Sequence, residues 1–576
     1  MAKKRRKHEQ TIPDKKPRSP AWILRLDTEL YAVLVIVAVW VLAAVLINPR
    51  GNFPLNDDWC YGKAVYTLLR THHFHMVGIV TMTLVAQVLW GALFCSIFGL
   101  SFTVLRVSTL ILGLGGLLAA YGLLREAKAP RWIASFGCVV IALNPLYVAL
   151  SYSFMSDVPF LAVSLMALYA YVKALRHDSM RMIVLGTALA VVAVLIRQIG
   201  LFLLIGFGLA YLTKDGARVK SVLRAVVPLL ITAAVLIAYT CWLRSTHNLP
   251  KYFNIQAVGI QRFLAAGPVG WVKTAWGVVL TSYVYLGLFL LPFLILNVPR
   301  QWRDLTSRQR GANFLISVIS ALVVAITLIR ERRWIPMNRA TGDYIMDFGI
   351  GPPTLRDVWV ERTGAYPMMP EAFWIVVTAA AVIGGALLMW HLLAAFQRLS
   401  AHDTESASPF SRAFLVLMLV VTALNLSTLI PLTSFIYFDR YFVSVVPLLA
   451  VVIALTTAPS AKTGRLYIVG ALVTLVLIGC FSIGGTHDYM TWNRLRWHAA
   501  GEIIRTEQIT PQEVDGGHEF NAWHGYDEST RTWDTFDDYV ITFGPMRGYD
   551  EVADYTYTRW MPLSTGHVFL LSRAVY

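Results

Sequence analysis

Between Tyr31 and Gly484 the chain is an almost unbroken succession of apolar runs of about 15–25 residues, separated by short polar links. Runs of this length match the thickness of a bilayer. In hydrocarbon each backbone N–H and C=O must find its partner within the segment, so each run reads as a helix. The chain is therefore expected to be an all-α polytopic membrane protein. Its composition agrees: 56% of its 576 residues are hydrophobic and 15% are charged, with a mean hydropathy of +0.57, far too apolar for a soluble protein of this length.

The formal net charge of +16 would fit nucleic acid in a soluble chain. Here the basic residues sit in short links between runs, where the positive-inside rule places them, and no nucleic-acid partner is expected. Counting Arg197 as a turn between the short runs Met182–Ile196 and Ile199–Leu212 gives about 13 transmembrane helices with unbroken alternation. Met76–Gly99 is read apart from these, as lying in the interface or re-entering. A basic tail over residues 1–30, with Lys3, Lys4, Arg5, Arg6 and Lys7, is expected on the cytoplasmic side. No small-residue cleavage site follows the first run, so that run is not read as a cleaved signal.

With that orientation the links Arg125–Arg131, Lys173–Arg181, Lys214–Arg224, Arg300–Arg310, Gln397–Arg412 and Lys462–Arg465 fall inside, each with at least two basic residues. The outer segments run against the trend, since they carry Arg332, Arg333, Arg339 and Arg440. Cations on that side point to an anionic ligand. The membrane domain spans residues 31–484, and its outer loop 49–103 carries two adjacent carboxylates, Asp57 and Asp58. Residues 485–576 turn polar and aromatic and read as a small extracytoplasmic α/β domain. It would hold a helix over Tyr489–Thr506 and strands near Tyr539–Phe543, Tyr555–Trp560 and His567–Leu571. Five scattered cysteines without a CxxC give neither a disulfide framework nor a zinc site.

Three short motifs stand at outer helix ends: Asn56-Asp57-Asp58-Trp59 after the first run, Phe154-Met155-Ser156-Asp157-Val158-Pro159 opening a later one, and Asp439-Arg440-Tyr441-Phe442 near the end. In order, spacing and topology these resemble the GT-C glycosyltransferases. The resemblance is to the family 39, RgtA/B/C/D-like branch, related to protein O-mannosyltransferases and the lipid A aminoarabinose transferase. It implies a GT-C fold over Tyr31 to about Gly484. It also implies transfer of a sugar, with inversion, from a polyprenyl-phosphate donor to a lipid, glycan or protein acceptor outside the inner membrane. The first acidic residue of the first outer loop would be the base, here Asp57. Asp58 beside it is read as a substrate ligand or a helper.

Two departures qualify the match. A Lys-Pro-Pro-Leu-like element that follows the acidic motif in relatives is replaced by Thr81-Met82-Thr83-Leu84, and Arg197-Gln198 stands where that branch usually shows Lys. The donor-phosphate ligands therefore do not carry over by name.

Such a reaction asks little of the protein. A polyprenyl phosphate leaves without a general acid, so one carboxylate to deprotonate the acceptor and one or two cations for the phosphate suffice. No cofactor is required, and the resemblance leaves a divalent ion open. Asp157 and Tyr441 are candidates for substrate binding, as are the cations Lys63, Arg197 and Arg440. Each also has a plainer reading. Asn56 or Asp57 caps a helix over Asp58–Arg70; Arg197 pairs with Asp157; Arg440 pairs with Asp439; Lys63 anchors the interface with Tyr66 and Arg70. His72, His73 and His75 lack a third ligand type for a metal. The stretch Asp515–Trp523 mixes polar and aromatic side chains that suit either a sugar-bearing acceptor or a small core. A transporter or flippase of lipid-linked glycan is the rival reading; it would place charges deep within the spans and show repeated, broken helices. A non-catalytic relative that only binds lipid-linked sugar is the third, and an Asp57 base argues against it.

Overall fold

The computed structural model describes residues 21–337, 342–361, 368–400, 408–432, 437–457, 463–530, 532–533 and 535–574, with side chains from 28 onward. The basic cluster Lys3–Lys7 and Arg339 lie outside the described residues. Among the described residues nine helices are long and apolar enough to cross a membrane. The bent pair Arg131–Ala142 and Pro145–Ser151, at 63° to each other, brings the number to as many as ten. The spans turn apolar side chains outward, among them Leu223, Leu322, Val376 and Leu472, as a lipid solvent demands. The chain is an integral multi-pass membrane protein.

The count of 13 is not reached by length. Met180–Val194 and Leu201–Asp215 have 15 residues each and Val446–Leu455 has 10, short of the roughly 20 needed for a crossing. Val85–Phe98, within the run read as interfacial, has 14. Its start is tied to the end of Met180–Val194 and the turn that follows: Leu84 and Ala86 donate their N–H groups to the carbonyls of Ile196 and Leu195.

Local chemistry explains the breaks. At the 63° bend, Asn144 caps the second helix by accepting the N–H groups of Leu146 and Tyr147. Pro145 occupies the first turn, where its missing donor costs nothing. Small residues permit a close helix crossing between Gly267–Asp304 and Glu371–Ser400. A Cβ on Gly287 would lie 2.3 Å from the Gly385 nitrogen, so the two backbones touch as at small-residue crossings in membranes.

The last span does not end at the bilayer. It continues as one 42-residue helix, Arg465–Thr506, absorbing the helix expected at Tyr489. Beyond it, Val514–Asp515, Tyr539–Thr542, Leu563–Arg573 and Tyr549–Trp560 form a four-stranded sheet in that spatial order. The first pair is parallel and the others antiparallel. The last two expected strands are the arms of one long hairpin. A short helix, His518–Gly525, carries the aromatic stretch back toward the first loop.

Candidate functional site

The loop after the first helix turns at Asn56, whose φ of +54° is left-handed, and enters the helix Asp58–Thr71. Adjacent residues at a helix start point about 100° apart, and the two carboxylates part accordingly. Asp57 faces a cavity and accepts a 3.2 Å bond from Arg440 Nη2. Asp58 turns into the protein, fully buried, and accepts the N–H groups of Leu55 at 2.6 Å and Phe154 at 2.8 Å.

The cavity holds about 580 Å³ and is lined by Asp57, Asp157, Arg197, Gln198, Arg440 and Tyr441 on its polar side. Phe202, Ile255, Ile260, Leu429 and Leu432 are among its apolar lining. It thus gathers five of the seven candidate residues from four separate segments. Asp157 opens its helix and pairs with Arg197 Nη2 at 2.9 Å, while Arg197 Nε donates to Ser156 Oγ at 2.9 Å. The pairing that competed with a phosphate role for Arg197 is therefore present.

Arg440 does not pair with its sequence neighbour. Asp439 instead accepts the N–H groups of Tyr344 and Ile345, leaving the guanidinium to reach across to Asp57 and to lie 4.5 Å from the Phe438 ring. Arg440 is 6% exposed, and its Nε and Nη1 have no hydrogen-bond partner among the described residues. Burial opposes the charge, yet the Asp57 and Asp157 carboxylates hold Arg440 well above the usual arginine range, firmly protonated. A buried cation with two free donor atoms beside a cavity is built to meet an anion.

Asp58 and Lys63 are not among the cavity's lining residues. The Lys63 ammonium donates to the Ala522 carbonyl at 3.1 Å and sits near the rings of Trp59 and Trp523, at 5.3 and 5.9 Å. It thereby links the first-loop helix to the C-terminal region. Trp523 also packs against Tyr66 and Phe102. Asp515 and Asn521 bond to each other and to the Gly516 and Gly517 amides. The aromatic stretch is thus occupied with internal packing. His75 bridges Asn248 and Glu528.

Of two buried charges near the site, Arg106 went unremarked in the sequence and Glu519 was read only as part of the Asp515–Trp523 stretch. Arg106, inside an apolar span and fully buried, donates to the carbonyls of Pro49, Gly51 and Phe53 and so braces the first loop from behind. A lone arginine in an apolar run was the available signal. Glu519 accepts the Asn56 N–H at 2.9 Å.

Burial pushes the Asp58 carboxyl up from its ordinary 3.8 to about 7, against the pull of Arg106 and of the Phe154 and Leu55 amides. Between those two values the folded chain holds a proton that the unfolded chain releases. The Asp58 contribution to stability is therefore full at low pH and falls as pH rises through about 7. From pH 6 to pH 8 the thermal midpoint of the wild type in detergent is expected to fall more than that of Asp58→Asn. Parallel curves for the two proteins would refute this assignment.

Residues 84–244 match the family model described as dolichyl-phosphate-mannose-protein mannosyltransferase. This segment contains Asp157 and Arg197. No curated protein matches the chain. Among solved structures it is similar to the S. cerevisiae protein O-mannosyltransferase Pmt1-Pmt2 complex bound to the sugar donor, at 16% identity and a TM-score of 0.29, over 38% of this chain and 34% of that one. The chain thus spans about a third of that relative's length. It is also similar to ArnT from Cupriavidus metallidurans in the apo state, at 14% identity and a TM-score of 0.36, over 95% of this chain and 97% of that one. The same protein bound to undecaprenyl phosphate gives 14% identity, a TM-score of 0.38, and coverage of 97% and 99%. The family match bears out the resemblance to GT-C glycosyltransferases related to protein O-mannosyltransferases.

Proposed function

We propose that this chain is an inverting glycosyltransferase that moves a sugar from a polyprenyl-phosphate donor to an acceptor at the outer face of the inner membrane. The orientation is the one the basic links favour, with the N-terminus in the cytoplasm and residues 485–576 outside. The observation that carries the reading is the amphiphilic cavity with Asp57 and Arg440 paired on its polar side. An isoprenoid phosphate ester has the same two-sided character. Its chain suits the lining of Phe202, Ile255, Ile260 and Leu429, and its phosphate suits the free Nε and Nη1 of Arg440.

The chemistry follows from the charges. Arg440 binds the donor phosphate and stabilises the negative charge that grows on it as the bond from the anomeric carbon to the phosphate oxygen breaks. That oxygen leaves with the bonding electron pair. Asp57 takes the proton of the acceptor hydroxyl, whose oxygen attacks the opposite face of the anomeric carbon, inverting it. The Asp157–Arg197 pair holds the side of the cavity next to these groups, a placement suited to orienting the sugar or the acceptor. Asp58 supports the loop and takes no part in the transfer.

The test is sugar transfer in proteoliposomes supplied with a panel of polyprenyl-phosphate sugars and with lipid, glycan and protein acceptors. Turnover with an inverted anomeric product is expected. No transfer, with the lipid-linked sugar instead crossing the bilayer, would replace the transferase by a flippase.

A further inference from the structure

Glu519 lies 463 residues from Asn56 in the chain, yet its Oε1 accepts the Asn56 N–H at 2.9 Å. The amide it grips is that of the residue immediately before Asp57. Its other oxygen accepts the Thr354 hydroxyl at 2.5 Å and Arg496 Nη1 at 2.9 Å. One carboxylate therefore ties three distant segments to the turn before the base: the loop at Thr354, the long helix through Arg496, and the short helix His518–Gly525.

Both Glu519 and Arg496 are 0% exposed. Burying an ion pair strips water from both charges, and an apolar pair of similar volume is often as stable. Stability alone is thus a weak reason for the pair. The Asn56 backbone offers a better one. Its left-handed φ of +54° is a turn conformation that asparagine adopts more readily than most residues, and the amide at that turn is held by Glu519. On one side Asp58 holds Leu55 and Phe154. On the other, Glu519 holds Asn56. Between them the base has little freedom.

We propose that Glu519 is a positioning residue for the transfer, fixing through the Asn56 amide the peptide that carries Asp57. The C-terminal region is then a working part of the transferase. The inference rests on the reading of Asp57 as the base, and its test separates the two.

Removing only one member of the buried pair would strand a charge, so neutral double variants are compared. Glu519→Gln with Arg496→Met keeps an oxygen for the Asn56 N–H; Glu519→Leu with Arg496→Met does not. In the leucine variant, amide hydrogen exchange in peptides covering residues 53–61 is expected to quicken at least about tenfold, and kcat to fall about tenfold or more, as for a displaced catalytic group. The KM for donor should stay within about threefold, because Arg440 and the apolar lining are untouched. The glutamine variant should restore both exchange and kcat. Equal exchange and equal kcat in the two variants would overturn the proposal, as would faster exchange without a fall in kcat. A wild type that transfers no sugar would instead refute the reading of Asp57, and exchange would still decide whether Glu519 holds the loop.

Discussion

In proteoliposomes Asp57→Asn is expected to lose sugar transfer by about a thousandfold, within the range for removal of a general base, while still binding donor. Asparagine has almost the shape of aspartate and keeps an oxygen for Arg440 Nη2, now 3.2 Å from Asp57 Oδ2, so the cavity should keep its form. What it lacks is the ability to take the acceptor's proton. It also removes one of the two carboxylates that balance the Arg440 charge, and the donor phosphate should bind at least as well as in the wild type. The diagnostic pattern is therefore a collapse of kcat with an unchanged or lower KM for donor. A kcat within tenfold of the wild type would remove Asp57 from the mechanism and turn attention to Asp157, the other carboxylate in the cavity.

Asp58→Asn provides the internal comparison. Both carboxylates follow Asn56, and the sequence reads them as base and as substrate ligand or helper. Helical geometry separates them: one step turns a side chain by about 100°, so that Asp57 meets the cavity and Asp58 meets the amides of Leu55 and Phe154. An Asp58 variant should thus act through loop placement and stability, with a pH signature of its own.

The membrane-spanning plan was legible because the bilayer enforces it. An apolar run of sufficient length has few alternatives to a helix, and the nine long spans follow the runs. Runs interrupted by Asn144-Pro145 or by Arg197-Gln198 were harder, since composition does not reveal whether a break bends a span or divides it. The polar end of the cavity was also partly legible. Asp57, Asp157, Arg197 and Arg440 stand out as charges at the ends of apolar runs, where each calls for a partner or a task. Their partners were another matter. That Arg440 would choose Asp57 over the adjacent Asp439 depends on the Asp439 carboxylate being taken up by the Tyr344 and Ile345 amides. No local pattern encodes that. Lys63 was legible only in part: Trp59, one helical turn away, lies near it, but the second ring and the carbonyl it reaches belong to Trp523 and Ala522, far along the chain. Glu519 lay beyond any sequence signal, because its partner is a backbone amide 463 residues away.

Arg440→Gln is expected to lower kcat/KM for donor by about a hundredfold, the scale of losing one preorganised donor to a developing charge. Two effects combine. The phosphate loses a cation that sits in a buried setting, where its attraction is little screened. It also loses the two nitrogens, Nε and Nη1, that have no other partner among the described residues. Arg440→Lys distinguishes these effects. An ammonium restores the charge but not the planar fork, and a phosphate held through several guanidinium donors should not accept it as an equal. Activity intermediate between wild type and Arg440→Gln is therefore expected, with the remaining loss in kcat. Competition by a polyprenyl phosphate lacking the sugar supplies the binding side of the measurement, and it should weaken in Arg440→Gln. Should competition and turnover both stay within threefold of the wild type, Arg440 would be a structural partner of Asp57 alone. Arg197, already paired with Asp157 at 2.9 Å, would then be the remaining cation on the cavity wall among the described residues. To bind phosphate it would first have to share or release that carboxylate, and the free donors of Arg440 are what make it the stronger candidate.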